Sequence, residues 1–359
     1  MDNGDKGTPV WLFARSPRLE RSWPYVPERL HQRLQALGEL RVITLEREQP
    51  LHEATDLADA TGIAWFGGRF SADSLAAAPR LRAVGANTDN TGHGLPFDEL
   101  EARGIPVVET TRAWGQSVAE LALALALCAL RRVPQWHMDL AGHAPSFQYE
   151  AVQFCDAHGF VNGELGAKQI GVIGLGQIGG RVARWCVALG ADAATGPDLR
   201  GQVRGYDPFL PDGVAERWGV QRVEMDELVG ESEVVFVLVP PTPSARHLLD
   251  SARIGRLRRG ALVVIATRAH AVDMAALRER LLAGELAGAF DVYDVEPLPV
   301  DDPLRGLPNV VHTPHIAGRT RDANLRTADL IADDFARIWH GEPPLHRLTR
   351  EAIAARTGA

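Results

Sequence analysis

The sequence predicts an α/β protein built from two doubly wound, parallel-sheet domains, both Rossmann-like, with an active-site cleft between them. Three observations predict it. Short apolar, β-branched runs alternate with helix-length segments along most of the chain, the pattern of a parallel sheet covered on both faces. The chain has 359 residues, enough for two cores. The run Gly171–Gly180, GVIGLGQIGG, sets Gly174, Gly176 and Gly179 in the spacing GxGxxG.

The elements can be taken in chain order. Val10–Ala14, Arg41–Leu45, Gly62–Gly68, Leu81–Asn87 and Ile105–Thr110 read as strands. VPERLHQRLQALG and FDELEARG between them read as helices. A long helix runs from Ser117 to about Arg132. From about Ala141 to Gly163 the chain is irregular, a linker or a loop over the site. The alternation resumes with QIGVIG, VRGY, EVVFVLV, ALVVIAT, LAGAFDV and NVVHTP. The chain closes on a helix over about Arg321–His340 and a polar tail.

Composition narrows the function. A formal net charge of −8 with no Lys/Arg run disfavours a nucleic-acid partner. Cys128, Cys155 and Cys186 form no CxxC pair and read as reduced thiols of a cytoplasmic protein, with no metal site. The N-terminus lacks a basic start followed by an apolar run, so no signal peptide is expected. The apolar stretch LALALALCAL from Leu121 is about half the length that spans a bilayer and reads as a buried helix.

The glycines gain meaning from their neighbours. QIGVIG is a strand, and QIGGRVARWCVALG carries apolar residues at helical spacing, so the motif is a strand-to-helix turn. Gly174 permits the tight turn, Gly176 lets backbone approach a pyrophosphate, and Gly179 lets helix pack on strand. The helix N-terminus offers free N–H groups to phosphate. Asp207, closing VRGYD, is placed to accept from both adenosine-ribose hydroxyls and to repel a 2′-phosphate. NAD is therefore expected over NADP, with Arg204 a complication on the same strand. The gap from Gly179 to Asp207 exceeds the usual one by about eight residues. The excess lies in a loop-like insertion over 191–203, at the sheet end away from a cofactor, and contains the discounted acid Asp198.

Downstream, VVIATRAHAVD, GAFDVYDVEPLP and NVVHTPHIAG, together with VPPTPSARHLLD and the earlier SVAELALAL, stand in an order that resembles the D-isomer-specific 2-hydroxyacid dehydrogenase family. The resemblance runs from about Leu81 to Arg337. It implies that Arg268 binds the substrate carboxylate and keto oxygen, that His315 is the general acid/base, and that Glu296 is its carboxylate partner. It implies that Asp291 holds the nicotinamide carboxamide, and it adds Gln177, Ile178, Pro240 and Thr267 to the cofactor set. The chemistry agrees. A guanidinium pairs bidentately with a carboxylate, and an imidazole exchanges protons near neutral pH. A carboxylate beside that ring fixes it and favours imidazolium. His93, His270 and His312 read as structural.

The chain departs from the family pattern where the substrate acid would bind. GANTDN replaces a glycine-rich turn, with Asn87 for glycine and Thr88 for an apolar residue. Trp114 stands where Asn is usual, Ile265 also replaces an Asn, and Ala269 follows Arg268 in place of Gly. Asn87, Thr88, Trp114 and Arg268 are thus the expected substrate-binding residues, shaped for a polar or unusual acid. The expected division is a flavodoxin-like substrate domain over 1–110 and 322–359, with an NAD-binding domain over 111–321. Hinge closure would exclude water, and the long helix after Ser117 would support a homodimer, as the resemblance implies. The expected activity is hydride transfer between NAD and a small 2-hydroxy or 2-keto acid. An NAD-sensing, corepressor-like binding protein and a phosphite- or phosphonate-type dehydrogenase remain open. Oxidation of formate fits less well, since the Gln expected in place of Glu296 is absent.

Overall fold

The computed structural model describes residues 7–87, 94–142, 159–190 and 202–357. Thr88, His93, Cys155, Asp198 and nearly all of the 191–203 insertion lie outside the described residues, as does most of the irregular stretch after Ala141. The chain divides into two compact units, Met1–Trp114 with Arg319–Ala359, and Gly115–Gly318. The sequence reading places the divisions at 110/111 and 321/322.

The first unit holds a five-stranded parallel sheet of β1 (Val10–Arg15), β2 (Glu39–Thr44), β3 (Gly62–Phe66), β4 (Ala83–Ala86) and β5 (Val107–Glu109), in the order β2-β1-β3-β4-β5. Successive side chains of β1 point to opposite faces, and both faces are buried. Trp11 and Phe13 pack with Leu30, Leu34, Ile331 and Phe335 of the helices Val26–Leu37 and Arg321–His340. The Trp11 and Phe335 rings stack with centroids 5.3 Å apart. Leu12 and Ala14 face the other core, with Ile63, Phe70, Val84 and Leu100.

The second unit holds a seven-stranded parallel sheet. Its strands are β6 (Ile170–Ile173), β7 (Val203–Tyr206), β8 (Gln221–Arg222), β9 (Val234–Val237), β10 (Leu262–Ile265), β11 (Ala287–Phe290) and β12 (Val310–His312). The order β12-β11-β10-β9-β6-β7-β8 reverses direction between β6 and β9, the switch point where such sheets bind ligands at their carboxyl ends. The helix Gly115–Leu130 lies against β10, β11 and β12. A stretch including it, Thr111–Leu130, is long and apolar enough to cross a membrane by composition, and half of its most apolar window is buried inside the protein.

Three differences from the sequence reading have local causes. The two-residue β8 carries too short a run to register as a strand. A separate helix, Val133–Ala141, follows the long one, because Arg132 adopts a left-handed φ of 51° and Pro134 enters the next first turn. The polar tail is structured: it forms the helix Arg350–Thr357. Before that helix, Leu348 N–H donates to Val107 O (2.8 Å), and Glu109 N–H donates to His346 O (2.9 Å).

Asp334 explains how the tail is turned back. Its carboxylate is wholly buried on the helix Arg321–His340 and accepts from Leu345 N–H and His346 N–H, each at 2.8 Å. Replacing Asp334 by Ala strands both donors, and we expect unfolding stability to fall by about 2–4 kcal/mol in a urea titration.

Candidate active site

The glycine turn leaves β6 at the switch point. Gly174 has φ +87°, a left-handed conformation that costs a side-chain-bearing residue energy. A Cβ on Gly179 would lie 1.8 Å from Gly174 O, so helix Gly179–Gly190 approaches the strand as closely as backbone permits. A Cβ on Gly176 would meet nothing within 4 Å. That residue borders open space, the requirement for a pyrophosphate to lie against bare backbone. Ile178 and Gly176 carbonyls accept the first helical bonds, from Val182 and Gly180 N–H. The Gln177 carbonyl accepts from Arg181.

Asp207 sits directly after β7. Leu175 N–H, within the glycine turn, donates to its Oδ2 (2.8 Å), and Phe209 N–H donates to Oδ1 (2.9 Å). The carboxylate is therefore fixed beside the turn, and each oxygen retains acceptor capacity. Arg204 points elsewhere. Its guanidinium donates to Gln169 Oε1 (2.7 Å) and Gln202 Oε1 (3.1 Å), near the start of β7. Asp207 lies beyond the strand's other end.

The remaining candidates cluster at the carboxyl ends of β10, β11 and β12. These strands are neighbours with Ile265, Phe290 and His312 in register, so the residues just beyond them share one sheet edge. Arg268 lies past β10 in extended conformation, half-buried, and its Nη1 donates to Thr267 O (2.8 Å). Thr267 is buried, and its hydroxyl donates to Val237 O at the end of β9 (3.4 Å). Pro240, beyond β9, is exposed.

His315 and Glu296 meet. His315 Nδ1 lies 2.7 Å from Glu296 Oε2, and Tyr293 N–H donates to Glu296 Oε1 (2.9 Å). Both carboxylate oxygens are thus used, and Nε2 is the ring nitrogen left to face a substrate. Each side chain is about a third exposed, so the pair orients the ring more than it stabilises the fold. His315 has a left-handed φ of 54°, and Asp291 holds it there. Asp291 is wholly buried. Its Oδ1 accepts from Thr313 Oγ1 (2.6 Å) and Ile316 N–H (2.9 Å), and its Oδ2 accepts from Ala317 N–H (2.9 Å). Its carbonyl oxygen accepts from His315 N–H (2.8 Å). The role the structure displays for Asp291 is anchorage of the His315 turn, which sequence reasoning missed.

The loop carrying Glu296 is braced from outside. Arg278 donates to Asp302 and to Asp294, each at 2.8 Å. Burial works to raise the Asp302 pKa, but the Arg278 hydrogen bonds and the Leu304 N–H outweigh it and hold the carboxyl below its ordinary value. Acidic residues on both sides of Glu-Pro, with an arginine one helix away, were a faint signal of this brace. Of the histidines read as structural, His270 has Nε2 3.0 Å from Thr242 O, and His312 lies between Tyr293 and Leu304.

Asn87 and Trp114 belong to the first unit, after β4 and β5. Trp114 stacks on Trp23 with centroids 5.2 Å apart. Asn87 Oδ1 and Trp114 Nε1 are both buried without a hydrogen-bond partner. Among the described residues, no group of three or more His, Cys, Asp or Glu converges as metal ligands.

A nucleotide-type turn and a braced His–Glu pair lie at the carboxyl ends of the strands of one parallel sheet, the arrangement of a dinucleotide-binding unit. Residues 123–317 match the family model of the D-isomer specific 2-hydroxyacid dehydrogenase NAD binding domain. The chain is 36% identical over 303 residues to a D-3-phosphoglycerate dehydrogenase of Archaeoglobus fulgidus, covering 83% of this chain and 52% of the relative. It is 29% identical over 303 residues to a glyoxylate reductase of Korarchaeum cryptofilum, covering 79% of this chain and 81% of the relative. The solved phosphoglycerate oxidoreductase from Rhizobium etli superposes with a TM-score of 0.79 at 26% identity, covering 95% of this chain and 99% of that one. The chain belongs to the D-isomer specific 2-hydroxyacid dehydrogenase family. It spans about half the length of the phosphoglycerate dehydrogenases it matches.

The glycine geometry gives a two-sided test. Gly176→Ala should melt with the unaltered protein, since its methyl enters open space. Gly179→Ala should lose about 3 kcal/mol or more from the backbone collision. Equal thermal midpoints for the two variants would refute this account of the turn.

Proposed function

We propose that the protein is an NAD-dependent 2-hydroxyacid dehydrogenase, or 2-ketoacid reductase, of D stereochemistry. It transfers hydride between nicotinamide and a small 2-hydroxy or 2-keto acid. The observation that carries the reading is the 2.7 Å His315–Glu296 contact on the sheet edge that also bears Arg268. A bound nicotinamide supplies the hydride. The chain supplies the rest. Arg268 has guanidinium N–H groups beyond its bond to Thr267 O and pairs with the substrate carboxylate. His315, with Nδ1 committed to Glu296, donates a proton from Nε2 to the carbonyl oxygen during reduction and accepts one during oxidation. Glu296 keeps the ring oriented through Nδ1.

The glycine turn fits a dinucleotide, with Gly174, Gly176 and Gly179 shaping the cradle and Gln177 and Ile178 lining it. Pro240 and Thr267 complete the cofactor contacts, as does the one acceptor position that Asp291 Oδ2 retains. NAD rather than NADP is supported by the Asp207 carboxylate beside the turn and by the diversion of Arg204 to Gln169 and Gln202. For Asn87, Thr88 and Trp114 we retain a part in substrate choice. Asn87 Oδ1 and Trp114 Nε1 are unpaired buried polar atoms, and a polar acid would satisfy them. A homodimer is supported by helix Val133–Ala141, which buries none of its residues and exposes Val133, Met138 and Leu140. The net charge of −8 speaks for a small-molecule substrate over a nucleic-acid partner, and the free thiols of Cys128 and Cys186 fit the reducing cytoplasm.

A panel of 2-keto acids, followed by loss of NADH or NADPH absorbance, tests the activity. We expect turnover with NADH. His315→Ala should lower kcat by about 10²–10⁴-fold while NADH still binds. Turnover that survives that change would remove the proton-transfer role, and no turnover with any acid would favour a cofactor-sensing protein. In the same panel, Asn87→Gly and Trp114→Asn should reorder the preferred acids. An unchanged ranking would exclude both residues from substrate choice.

A further inference from the structure

We propose that Tyr293 and His312 form a positioning pair that holds Glu296 against His315, a role resting on the dehydrogenase reading only for its catalytic consequence. Tyr293 Oη lies 3.0 Å from His312 Nδ1, and His312 Nε2 lies 2.9 Å from Leu304 O. These partners set the proton arrangement. A carbonyl oxygen only accepts, so Nε2 carries the proton, and in the neutral ring Nδ1 is then bare. The Tyr293 hydroxyl is the donor to it. The hydroxyl's other acceptors are farther, Phe290 O at 3.2 Å and Thr313 O at 3.4 Å. The two rings also stack, with centroids 6.0 Å apart.

The neutral form is consistent with the surroundings. Burial lowers the His312 pKa, against the Leu304 carbonyl and the Asp302 carboxylate, with Arg305 also lowering it. Burial, with Asp291, Glu296 and Asp302 nearby, raises that of Tyr293 against Arg305. Both groups therefore keep their protons where described across the cellular pH range.

The chain Tyr293–His312–Leu304 joins three segments: the exit of β11, the end of β12, and the turn Pro303–Gly306. Tyr293 donates its own N–H to Glu296 Oε1, and His312 stands three residues before His315. Fixing one ring against the other fixes the relative position of the carboxylate and the imidazole. Neither ring touches the reacting groups, so both act through Glu296.

The test reads geometry apart from turnover. In protein labelled with ¹⁵N-histidine, the His315 Nδ1 proton shared with Glu296 should give a downfield resonance, assigned by its loss in His315→Gln. Tyr293→Phe and His312→Leu should each broaden or abolish it and lower kcat about tenfold with KM for the keto acid nearly unchanged. His312→Asn, whose Oδ1 can accept from the tyrosine, should retain it. If Tyr293→Phe fails to fold, the contrast of His312→Leu with His312→Asn decides. An unchanged resonance in both Tyr293→Phe and His312→Leu overturns the pair's role, whatever the turnover. Absence of turnover by the unaltered protein, with the resonance responding as expected, would strike the activity alone and leave the positioning role standing.

Discussion

The buried carboxylate of Asp291 is the constraint on which the site depends. A left-handed histidine is uncommon because backbone and Cβ crowd each other there. His315 adopts that conformation at the head of a turn whose amides converge on Asp291. A carboxyl group so enclosed needs hydrogen-bond partners, and here the turn supplies three of them. The carboxylate and the turn therefore require each other. The register of β11 with β12 sets the two within reach, so strand pairing determines the place of the imidazole.

A second carboxylate does comparable work at the other half of the sheet. Asp207 binds the glycine turn by its Leu175 amide and its own following loop by Phe209. Both oxygens are thereby aimed before any ligand arrives, which lowers the ordering cost of binding. Asp291 is wholly buried, whereas Asp207 is partly exposed.

Much of this was legible in the sequence because it depends on local rules. The short apolar, β-branched runs identify eleven of the twelve strands described, with ends shifted by no more than two residues. The turn from β6 into its helix was readable from glycine spacing and helix periodicity. The pairing of Glu296 with His315 was available from motif resemblance, although nothing local says that two residues so far apart in sequence must touch. What escaped was tertiary. The Asp291 anchor, the Arg278 brace and the Tyr293–His312 contact each join segments separated by 16 or more residues, and no periodicity encodes such meetings. The helix Val133–Ala141 escaped for a different reason: a left-handed Arg132 has no signature in residue type.

The tail after Gly341 has a further consequence. In the first unit, β5 is an outermost strand, and its free backbone groups would otherwise form a ready template for another chain. Arg347 bridges Val108 in antiparallel sense, between the Glu109–His346 and Val107–Leu348 hydrogen bonds. The protein thus occupies its own open margin with a segment running against the sheet direction. At the opposite margin, β2 presents Glu39 and Arg41, the latter ion-paired to Asp59. One border is closed by self-pairing and the other by charge, two unrelated solutions to intermolecular strand addition in a single sheet.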